Sequence, residues 1–163
     1  MKNHVRSNSI PRIHAQQVSR TGSFDLLCGV ETAFPLFGPE GERSWVKGWD
    51  PRPVFPDAVA FQRDTVFREG HEGEEALWTI VEVNWTEHRA EYVRFAPASH
   101  SAHIVVQVEP NSADCSHVVV QYVVTAFGPS AEAQLESFSE TKYAERMRNW
   151  QSQISAYLGS MVG

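Results

Sequence analysis

Arg94 is the residue with the clearest chemical potential in this sequence. It lies in the middle of the segment Arg89 to Ala96, whose composition predicts a β-strand. If Tyr92 faces the interior, Arg94 shares its face, and a guanidinium in an apolar interior needs a carboxylate or a ligand oxygen as acceptor. The alternative is an outward Arg94 that pairs across the sheet, and the pattern fits both orientations equally well. Inside a cavity, Arg94 would stabilise negative charge, and Tyr122 would be a candidate acid.

The other reactive residue types form no recognisable catalytic or metal-binding pattern. His100 and His103 have an H-x-x-H spacing, but residues three apart on a strand point to opposite faces, so we predict no metal site. The chain has no phosphate-binding glycine loop and no G-x-S-x-G turn. Cys28 and Cys115 are expected to be reduced, and Cys28 to be an inert core residue. No cofactor is expected.

The remaining histidines and a glutamate-rich segment are expected to contact solvent. Histidines in predicted loops or on polar strand faces are His14, His71, His88 and His117. The segment 69–75 contains glycine and four glutamates, which is typical of a solvated turn between two strands.

Large aromatic and apolar side chains are the candidates to line a ligand cavity. For any single one of them, an ordinary core position is the simpler interpretation. Together they favour a ligand that is apolar and ringed. The candidate ligand-binding residues are Trp45, Trp49, Phe67, Trp78, Tyr92, Arg94, Val106, Val120, Tyr122, Tyr143, Met147 and Trp150. No catalytic residue is assigned, so enzymatic activity stays an open question.

A long C-terminal helix has to position part of this set. Apolar residues recur there at steps of three and four, which gathers them into one stripe; they are Tyr143, Met147, Trp150, Ile154, Leu158 and Met161. The helical pattern runs from Pro129 to about Gly159, with a bend near Ser139, a natural N-cap. An antiparallel sheet is the expected partner of the stripe.

Strand patterns fill most of the chain before that helix. The predicted strands cover 23–28, an edge strand at 51–56, and 65–68, 77–85, 89–96, 103–109 and 117–127. In the last two strands the even-numbered residues should face the core. Two short helices, 30–37 and 39–48, separate the first strand from the others. This order predicts an α+β fold with segregated elements.

Composition narrows the possible partners. The 163 residues suit one domain, and a net charge of -6 argues against binding a nucleic acid backbone. No stretch approaches the ~20 apolar residues of a membrane span, so no integral membrane association is expected and the protein should be cytoplasmic. It should be a monomer or a homodimer.

The first residues differ from the remainder in charge. Residues 1–24 contain four basic and no acidic residues. Such a start is typical either of an organelle-targeting peptide or of a loosely ordered leader or dimer arm, and we favour the latter. The predicted organisation is a basic leader at 1–13 and a single domain at 14–163.

Several phrases of this sequence resemble the SRPBCC superfamily, which includes START lipid-transfer domains, polyketide cyclase/dehydrase-like proteins and birch-pollen-allergen-like proteins. They are AFPLFGPEGERSWVKGWD from Ala33 to Asp50, Asp64 to Phe67, Leu77-Trp78, Glu91 to Phe95, and the late helix with Phe138, Tyr143 and Trp150. The resemblance covers residues 14 to 160 and is moderately specific for an uncharacterised bacterial branch.

The resemblance implies a helix-grip fold. In that fold a curved antiparallel sheet wraps around a long C-terminal helix, and two short helices after the first strand close one end of a cavity. A glycine would be expected where this chain has Asp64. The turn before Thr65 is therefore expected to differ in shape.

Three functional classes are compatible with the sequence. The first is a binding protein for a small hydrophobic, lipid-like or aromatic, polyketide-like ligand. The second is a cyclase/dehydrase-type enzyme that acts on such a ligand, with Arg94 and Tyr122 as first candidates. The third is an interaction module like the chaperone activators of the superfamily, which would need an exposed apolar patch and no cavity.

Overall fold

The computed structural model describes residues 10, 12–71 and 73–162. Most of the predicted leader, residues 1–13, lies outside the described residues, and residues 10, 12 and 13 belong to no helix or strand. The division into a leader and a single domain therefore stays a prediction.

Seven antiparallel strands form one curved sheet. The strands are β1 (Ala15–Leu26), β2 (Arg52–Phe55), β3 (Val66–Glu69), β4 (Ala76–Asn84), β5 (Arg89–Ala96), β6 (His100–Ser112) and β7 (Cys115–Phe127). Their order across the sheet is β1-β7-β6-β5-β4-β3-β2. The proline-rich strand β2 lies at the edge, as predicted. Proline has no backbone N–H, so it cannot complete the hydrogen bonds of a strand that is paired on both sides.

The short helices between β1 and β2 follow the prolines. Helix α1 spans Val30–Ala33 and continues as a 3₁₀ helix over Phe34–Phe37, with Pro35 near its start. Helix α2 spans only Pro39–Glu42, so the prediction that it continues to Gly48 was wrong. Beyond Glu42 the chain turns, although Trp45 and Val46 still donate backbone hydrogen bonds to the Glu42 carbonyl.

Even-numbered residues of β5, β6 and β7 face the interior. Ile104, Val106 and Val108 in β6 are buried, as are Val118, Val120, Tyr122 and Val124 in β7, which agrees with the predicted parity. In β5 the same parity buries Tyr92 and Arg94. The open question about Arg94 is thus answered by the structure: its side chain faces inward.

Helix α3 (Ala131–Ser137) and helix α4 (Glu140–Met161) follow the sheet. The predicted break at Ser139 is present, and the Ser139 hydroxyl accepts a hydrogen bond from the Lys142 backbone N–H at 3.3 Å. Three members of the predicted stripe are buried and two are partly buried; in order along the helix these are Tyr143, Met147, Trp150, Ile154 and Leu158. Met161 does not belong to the stripe, because residues 159–162 are all exposed where the helix has left the sheet.

Gly22 allows α4 to lie directly on β1. A Cβ atom at this position would lie 2.6 Å from Met147 Cγ and 3.0 Å from a ring carbon of Tyr143. The Tyr143 hydroxyl passes over the strand and donates to the Val120 carbonyl at 2.5 Å. The sheet therefore contacts the helix through backbone at this crossing rather than through a layer of side chains.

Gly41 fixes α2 against the 3₁₀ helix. A Cβ atom here would lie 2.0 Å from the Pro35 carbonyl oxygen and 2.8 Å from Leu36 Cα, both backbone atoms that cannot rotate away. Only glycine permits this approach. The 3₁₀ helix and α2 thus form one backbone-packed unit, which we call the roof segment (34–49) because it covers the cavity described below.

The start of β1 differs from the expectation, and Asp64 takes a conformation that glycine adopts easily. Strand β1 begins at Ala15 rather than at residue 23, because its first half pairs with β7 through backbone hydrogen bonds although its side chains are mostly exposed. Asp64 has a φ of 69°, the left-handed conformation that glycine adopts easily and aspartate tolerates. The turn therefore keeps its left-handed residue without a glycine.

None of the helices in the described residues combines the length and the apolar character that a membrane crossing requires.

Candidate functional site

An internal cavity of about 360 Å³ lies between the sheet, the roof segment and α4. Its walls combine indole rings with a few charged and polar groups. Four of the five tryptophans of the chain line it: Trp45, Trp49, Trp78 and Trp150. The polar and charged residues around it are Glu42, His71, Glu74, Arg94, His100, Tyr122, Gln134, Ser137 and Arg146.

The predicted ligand-binding residues divide into three groups. Trp45, Trp49, Trp78, Arg94, Tyr122 and Trp150 line the cavity. Phe67, Tyr92 and Val106 surround a recess of about 20 Å³ beside it, which shares Glu42, Trp49 and Trp78 with the cavity. Tyr143 and Met147 border a separate groove between β1 and α4, and Val120 is fully buried in the core.

The indole rings of the roof segment are held by hydrogen bonds to its backbone. Trp45 Nε1 donates to the Leu36 carbonyl and Trp49 Nε1 to the Pro39 carbonyl, each at 2.8 Å. The Trp49 ring meets Trp78 edge to face at 5.6 Å, and Trp45 meets Trp150 in the same manner at 5.5 Å. These contacts give the cavity rigid, flat aromatic walls.

Arg94 lies on the inner face of β5 and is 8% exposed. Its register partners are Trp78 in β4 and Ala102 in β6, and its guanidinium carbon lies 5.8 Å from the centre of the Trp78 ring. One guanidinium nitrogen contacts His100 Nε2, and another lies 3.5 Å from the Glu74 carbonyl oxygen. Within the described residues the guanidinium makes no ion pair with a carboxylate.

A chain of hydrogen bonds runs from Arg94 to Glu74. Because a guanidinium can only donate, His100 Nε2 accepts from it, which leaves the imidazole proton on Nδ1. Nδ1 then donates to Ser99 Oγ at 2.7 Å, and Ser99 Oγ donates to Glu74 Oε2 at 2.8 Å. His100 and Ser99 are both buried. The positive charge of Arg94 is thus linked to the Glu74 carboxylate through two neutral groups.

Glu42 is the acidic residue that borders both the cavity and its recess. Its carboxyl makes no hydrogen bond or ion pair with any described residue. Burial raises the pKa of the Glu42 carboxyl well above its usual range, and the charge of Glu69 contributes in the same direction. The neutral, protonated form of Glu42 is therefore favoured up to a higher pH than in an exposed glutamate. Burial likewise raises the pKa of Tyr92, whose hydroxyl donates to the Phe37 carbonyl at 2.6 Å.

Replacing Glu42 with glutamine should make the free energy of unfolding less dependent on pH. In the unfolded wild type the carboxyl ionises near pH 4.5, whereas in the folded protein it stays protonated to a higher pH. Its contribution to stability is complete below the unfolded pKa and is lost as the pH rises through the folded pKa, by at most about 1.4 kcal/mol per pH unit. Glutamine has no such loss.

Urea unfolding at a series of pH values measures this effect. Glu40→Gln is the matched control, because Glu40 belongs to the same short helix but its side chain is 61% exposed. The difference between wild type and Glu42→Gln should widen with rising pH, while that for Glu40→Gln should stay nearly constant. Parallel pH profiles for wild type and Glu42→Gln would show that the carboxyl ionises normally in the fold.

A second carboxyl, Glu69, lies buried at the end of β3. It accepts hydrogen bonds from the His71 backbone N–H at 2.6 Å and from His71 Nδ1 at 2.7 Å. The His71 side chain is 20% exposed, and its ring lies edge to face against Trp49 at 5.3 Å. The expectation of a solvated segment was therefore wrong for Glu69, which shares the inward parity of Phe67, and for the largely covered side chain of His71, whereas Glu75 is exposed as expected.

One further histidine expectation needs correction, and the others hold. His88 is expected in solvent, but its side chain is only 14% exposed and packs against the Phe34 ring. His100 is buried while His103 lies on the outer face, so the two do point to opposite faces as predicted. His14 is exposed, and His117 forms an exposed pair with Asp25.

The cavity opens next to a shallow surface depression, which we call the mouth. Val46, His71, Ser137, Arg146 and Trp150 border both the cavity and the depression. The other side chains around the mouth include Lys47, Lys142 and Glu145. The Arg146 guanidinium also stacks 4.8 Å above the ring of Phe138.

Residue patterns could have identified the polar groups that the sequence analysis missed. Glu42, Trp45 and Trp49 have a spacing of three and four, which predicts a common face in a helical or turn-like segment. His100 has the same even parity as the inward residues of β6. The predicted strand 103–109 did not include His100, and Glu42 lies in the predicted helix 39–48 near its start, where an acid is common.

No protein-family model matches the chain, and no curated protein sequence matches it significantly. Solved structures do match. Norcoclaurine synthase from Thalictrum flavum, as a point mutant with a transition-state analogue, has a TM-score of 0.65 at 10% identity, over 93% of this chain and 100% of that chain. A hypothetical protein from Helicobacter pylori has a TM-score of 0.67 at 14% identity, over 87% of each chain.

A protein from Thermobifida fusca, solved by NMR, has a TM-score of 0.62 at 16% identity, over 86% of this chain and 94% of that chain. The TM-scores establish a shared architecture, but at sequence identities this low they leave the activity of this chain undetermined. The three matches cover 86 to 93% of this chain and include its seven-stranded curved sheet and long final helix as the shared architecture. The chain has a helix-grip fold.

Proposed function

We propose that this protein binds a small, ringed, apolar ligand that carries an acidic group, with the ring between the tryptophans and the acid at Arg94. The observation that carries the proposal is the inward guanidinium of Arg94. It is buried, it has no carboxylate partner among the described residues, and it borders a cavity with four indole walls. A buried guanidinium in that position is best satisfied by an anion that enters the cavity.

The shape of the cavity supports a flat ligand. Its volume of about 360 Å³ lies at the lower end of the usual range for small-molecule sites. Rigid edge-to-face indoles favour an aromatic ring over a flexible chain, because a ring loses less conformational entropy on binding. The fold accommodates ringed molecules in another protein, since norcoclaurine synthase has been solved in complex with dopamine and hydroxybenzaldehyde.

Titration with 2-naphthoate tests the proposal. We expect saturable binding by calorimetry and a change in tryptophan fluorescence, because four of the five tryptophans border the cavity. The fifth, Trp85, is 51% exposed and lies outside it, so Trp85→Phe should leave the fluorescence change intact. The uncharged 2-naphthalenemethanol should bind more weakly. Absence of saturable binding by both compounds would contradict the proposal.

A cyclase/dehydrase-type enzyme is the second candidate, and the hydrogen-bonded chain from Arg94 through His100 and Ser99 to Glu74 favours it. Since His100 itself borders the cavity, the part of this chain from His100 through Ser99 to Glu74 offers a route for a proton, while the Arg94 guanidinium keeps its proton and supplies only positive charge. The test follows deuterium exchange of the methyl protons of 6-acetyl-2-naphthoate in D₂O by NMR. Acceleration by wild type and its loss in His100→Gln would support catalysis, and an unaccelerated exchange would leave binding alone.

The third class, a protein-interaction module, was predicted to lack a cavity. The presence of an indole-lined cavity with buried charged groups gives this class the least support of the three.

A further inference from the structure

Glu42 is the one acidic side chain that reaches both the cavity and its inner recess. The recess is otherwise surrounded by apolar and aromatic groups, among them Phe37, Phe67 and Val106. Within the described residues the Glu42 carboxyl has no hydrogen-bond partner. The residue is half-buried and its oxygens are not sealed in the core, so a ligand in the cavity can reach the carboxyl.

The groups around Glu42 set the pKa of its carboxyl, and so whether a bound ligand contacts a neutral carboxyl or a carboxylate. The nearby carboxylate of Glu69 disfavours a second negative charge, and burial acts in the same direction, which raises the pKa of Glu42. The other titratable or charged groups that border the cavity or the recess are His71, Glu74, Tyr92, Arg94, His100, Tyr122 and Arg146. A neutral carboxyl has an O–H to donate, and no described protein acceptor receives it.

Arg94 and Glu42 give the cavity two chemically different polar groups. Arg94 extends from strand β5 and has one guanidinium nitrogen 3.5 Å from the Glu74 carbonyl oxygen. Glu42 belongs to the roof segment and borders the recess. The Trp78 ring lines both the cavity and the recess. A ring that lies against Trp78 with its acid at Arg94 can therefore direct a substituent toward Glu42.

We infer that the Glu42 carboxyl donates a hydrogen bond to a carbonyl or ether oxygen of the ligand, so that the site selects ringed acids that carry a second oxygen acceptor. This inference rests on the proposed function and adds the chemical class of the ligand. Glu42 is a binding residue in this assignment, and no bond is made or broken.

A cationic nitrogen is the competing partner for an acid among indoles, because cation–π contacts and an ionised Glu42 would both favour it. The charges of the cavity argue against it. Arg94 and Arg146 border the same space and would repel a second cation. A neutral carbonyl or ether oxygen on the ligand is not repelled by either arginine. Binding of an amine is therefore one of the outcomes that the test below distinguishes.

Two acids of matched shape test the inference: 6-acetyl-2-naphthoate, which has the acceptor, and 6-isopropyl-2-naphthoate, which lacks it. Calorimetry with the wild-type protein should show the acetyl compound to bind about 3- to 10-fold more tightly, the usual net effect of one neutral hydrogen bond. Glu42→Gln keeps an N–H donor and should retain most of this preference. Glu42→Met should remove it.

The pH dependence separates a hydrogen-bonding role from a structural one. In the wild type the preference should be present below the pKa of Glu42 and be lost as the pH rises through it, because a carboxylate cannot donate. In Glu42→Gln the preference should not change with pH over the range in which both naphthoates stay ionised. Glu40→Gln, in the exposed part of the same helix, should behave as wild type.

The outcomes distinguish this inference from the proposed function. Equal affinities for the two acids in the wild type, or the same pH dependence in Glu42→Gln, would overturn the inference while the binding function stands. Tighter binding of 2-naphthylmethylamine than of 6-acetyl-2-naphthoate would overturn it in favour of a cation site. If no naphthalene compound binds, the proposed function itself fails.

Discussion

Replacing Val120 with aspartate should abolish soluble expression. Val120 is fully buried in β7, its register partners are Gly22 and Val106, and α4 crosses this row of the sheet. An aspartate there would bury a carboxyl with no partner in an apolar layer, and even after it takes up a proton the cost is comparable with the net stability of a typical domain. Soluble yield and circular dichroism of any recovered protein measure the result.

Two control variants make the Val120 prediction quantitative. Gln121→Asp lies one residue along on the exposed outer face, and we expect it to cost no more than about 1 kcal/mol of unfolding free energy. Val120→Thr keeps the shape but buries a hydroxyl, which should cost about 1 to 3 kcal/mol in urea unfolding. A well-folded Val120→Asp protein would mean that the inward parity of β7 is wrong.

Replacing Arg94 with methionine should weaken the binding of 2-naphthoate by about 10- to 100-fold. A charge-assisted hydrogen bond to a buried acid contributes about 1.5 to 3 kcal/mol, and methionine keeps the length of the side chain without its donors. The affinity for 2-naphthalenemethanol should change by less than about 2-fold, because that compound presents no charge to the guanidinium. Calorimetry with both compounds measures the contrast.

Arg148→Met is the matched control for Arg94→Met. Arg148 lies on the exposed face of α4, away from the cavity, and its removal should leave both affinities unchanged. Urea unfolding of each variant shows whether it is folded at the temperature of the titration. Equal losses of affinity for the acid and the alcohol in Arg94→Met would show that the guanidinium supports packing rather than recognition.

The sheet and the final helix were predictable because local periodicity determines them. A regular element that buries one face shows a period in its apolar residues. This explains the alternation along β6 and β7 and the spacing of Tyr143, Met147 and Ile154 in α4. The orientation of Arg94 was not predictable in this way. Both faces of β5 carry an aromatic residue, Tyr92 on one and Phe95 on the other, so only pairing with Trp78 and Ala102 determines which face is covered.

The acidic part of the site was harder to predict than its aromatic walls. Glu42 is the last residue of α2, and the chain after it is held by turn hydrogen bonds, so the spacing of Glu42, Trp45 and Trp49 indicates a common face only if the turn keeps a helix-like path. Glu69 and His71 lie in a segment whose composition is typical of a solvated turn. The His71 ring is covered by Trp49, a contact between residues that are distant in sequence.

The charges around the mouth of the cavity bear on how fast a ligand arrives. The protein carries a net charge of -6, yet the mouth is bordered by Lys47, Lys142 and Arg146 and by one acid, Glu145, with Lys142 also 3.3 Å from Glu136. A locally positive entrance on an acidic surface attracts anions over roughly a Debye length, about 8 Å at physiological ionic strength. Association rates of an acidic ligand should therefore fall with added salt, while its dissociation rate, controlled by the rigid indole walls, should hardly change.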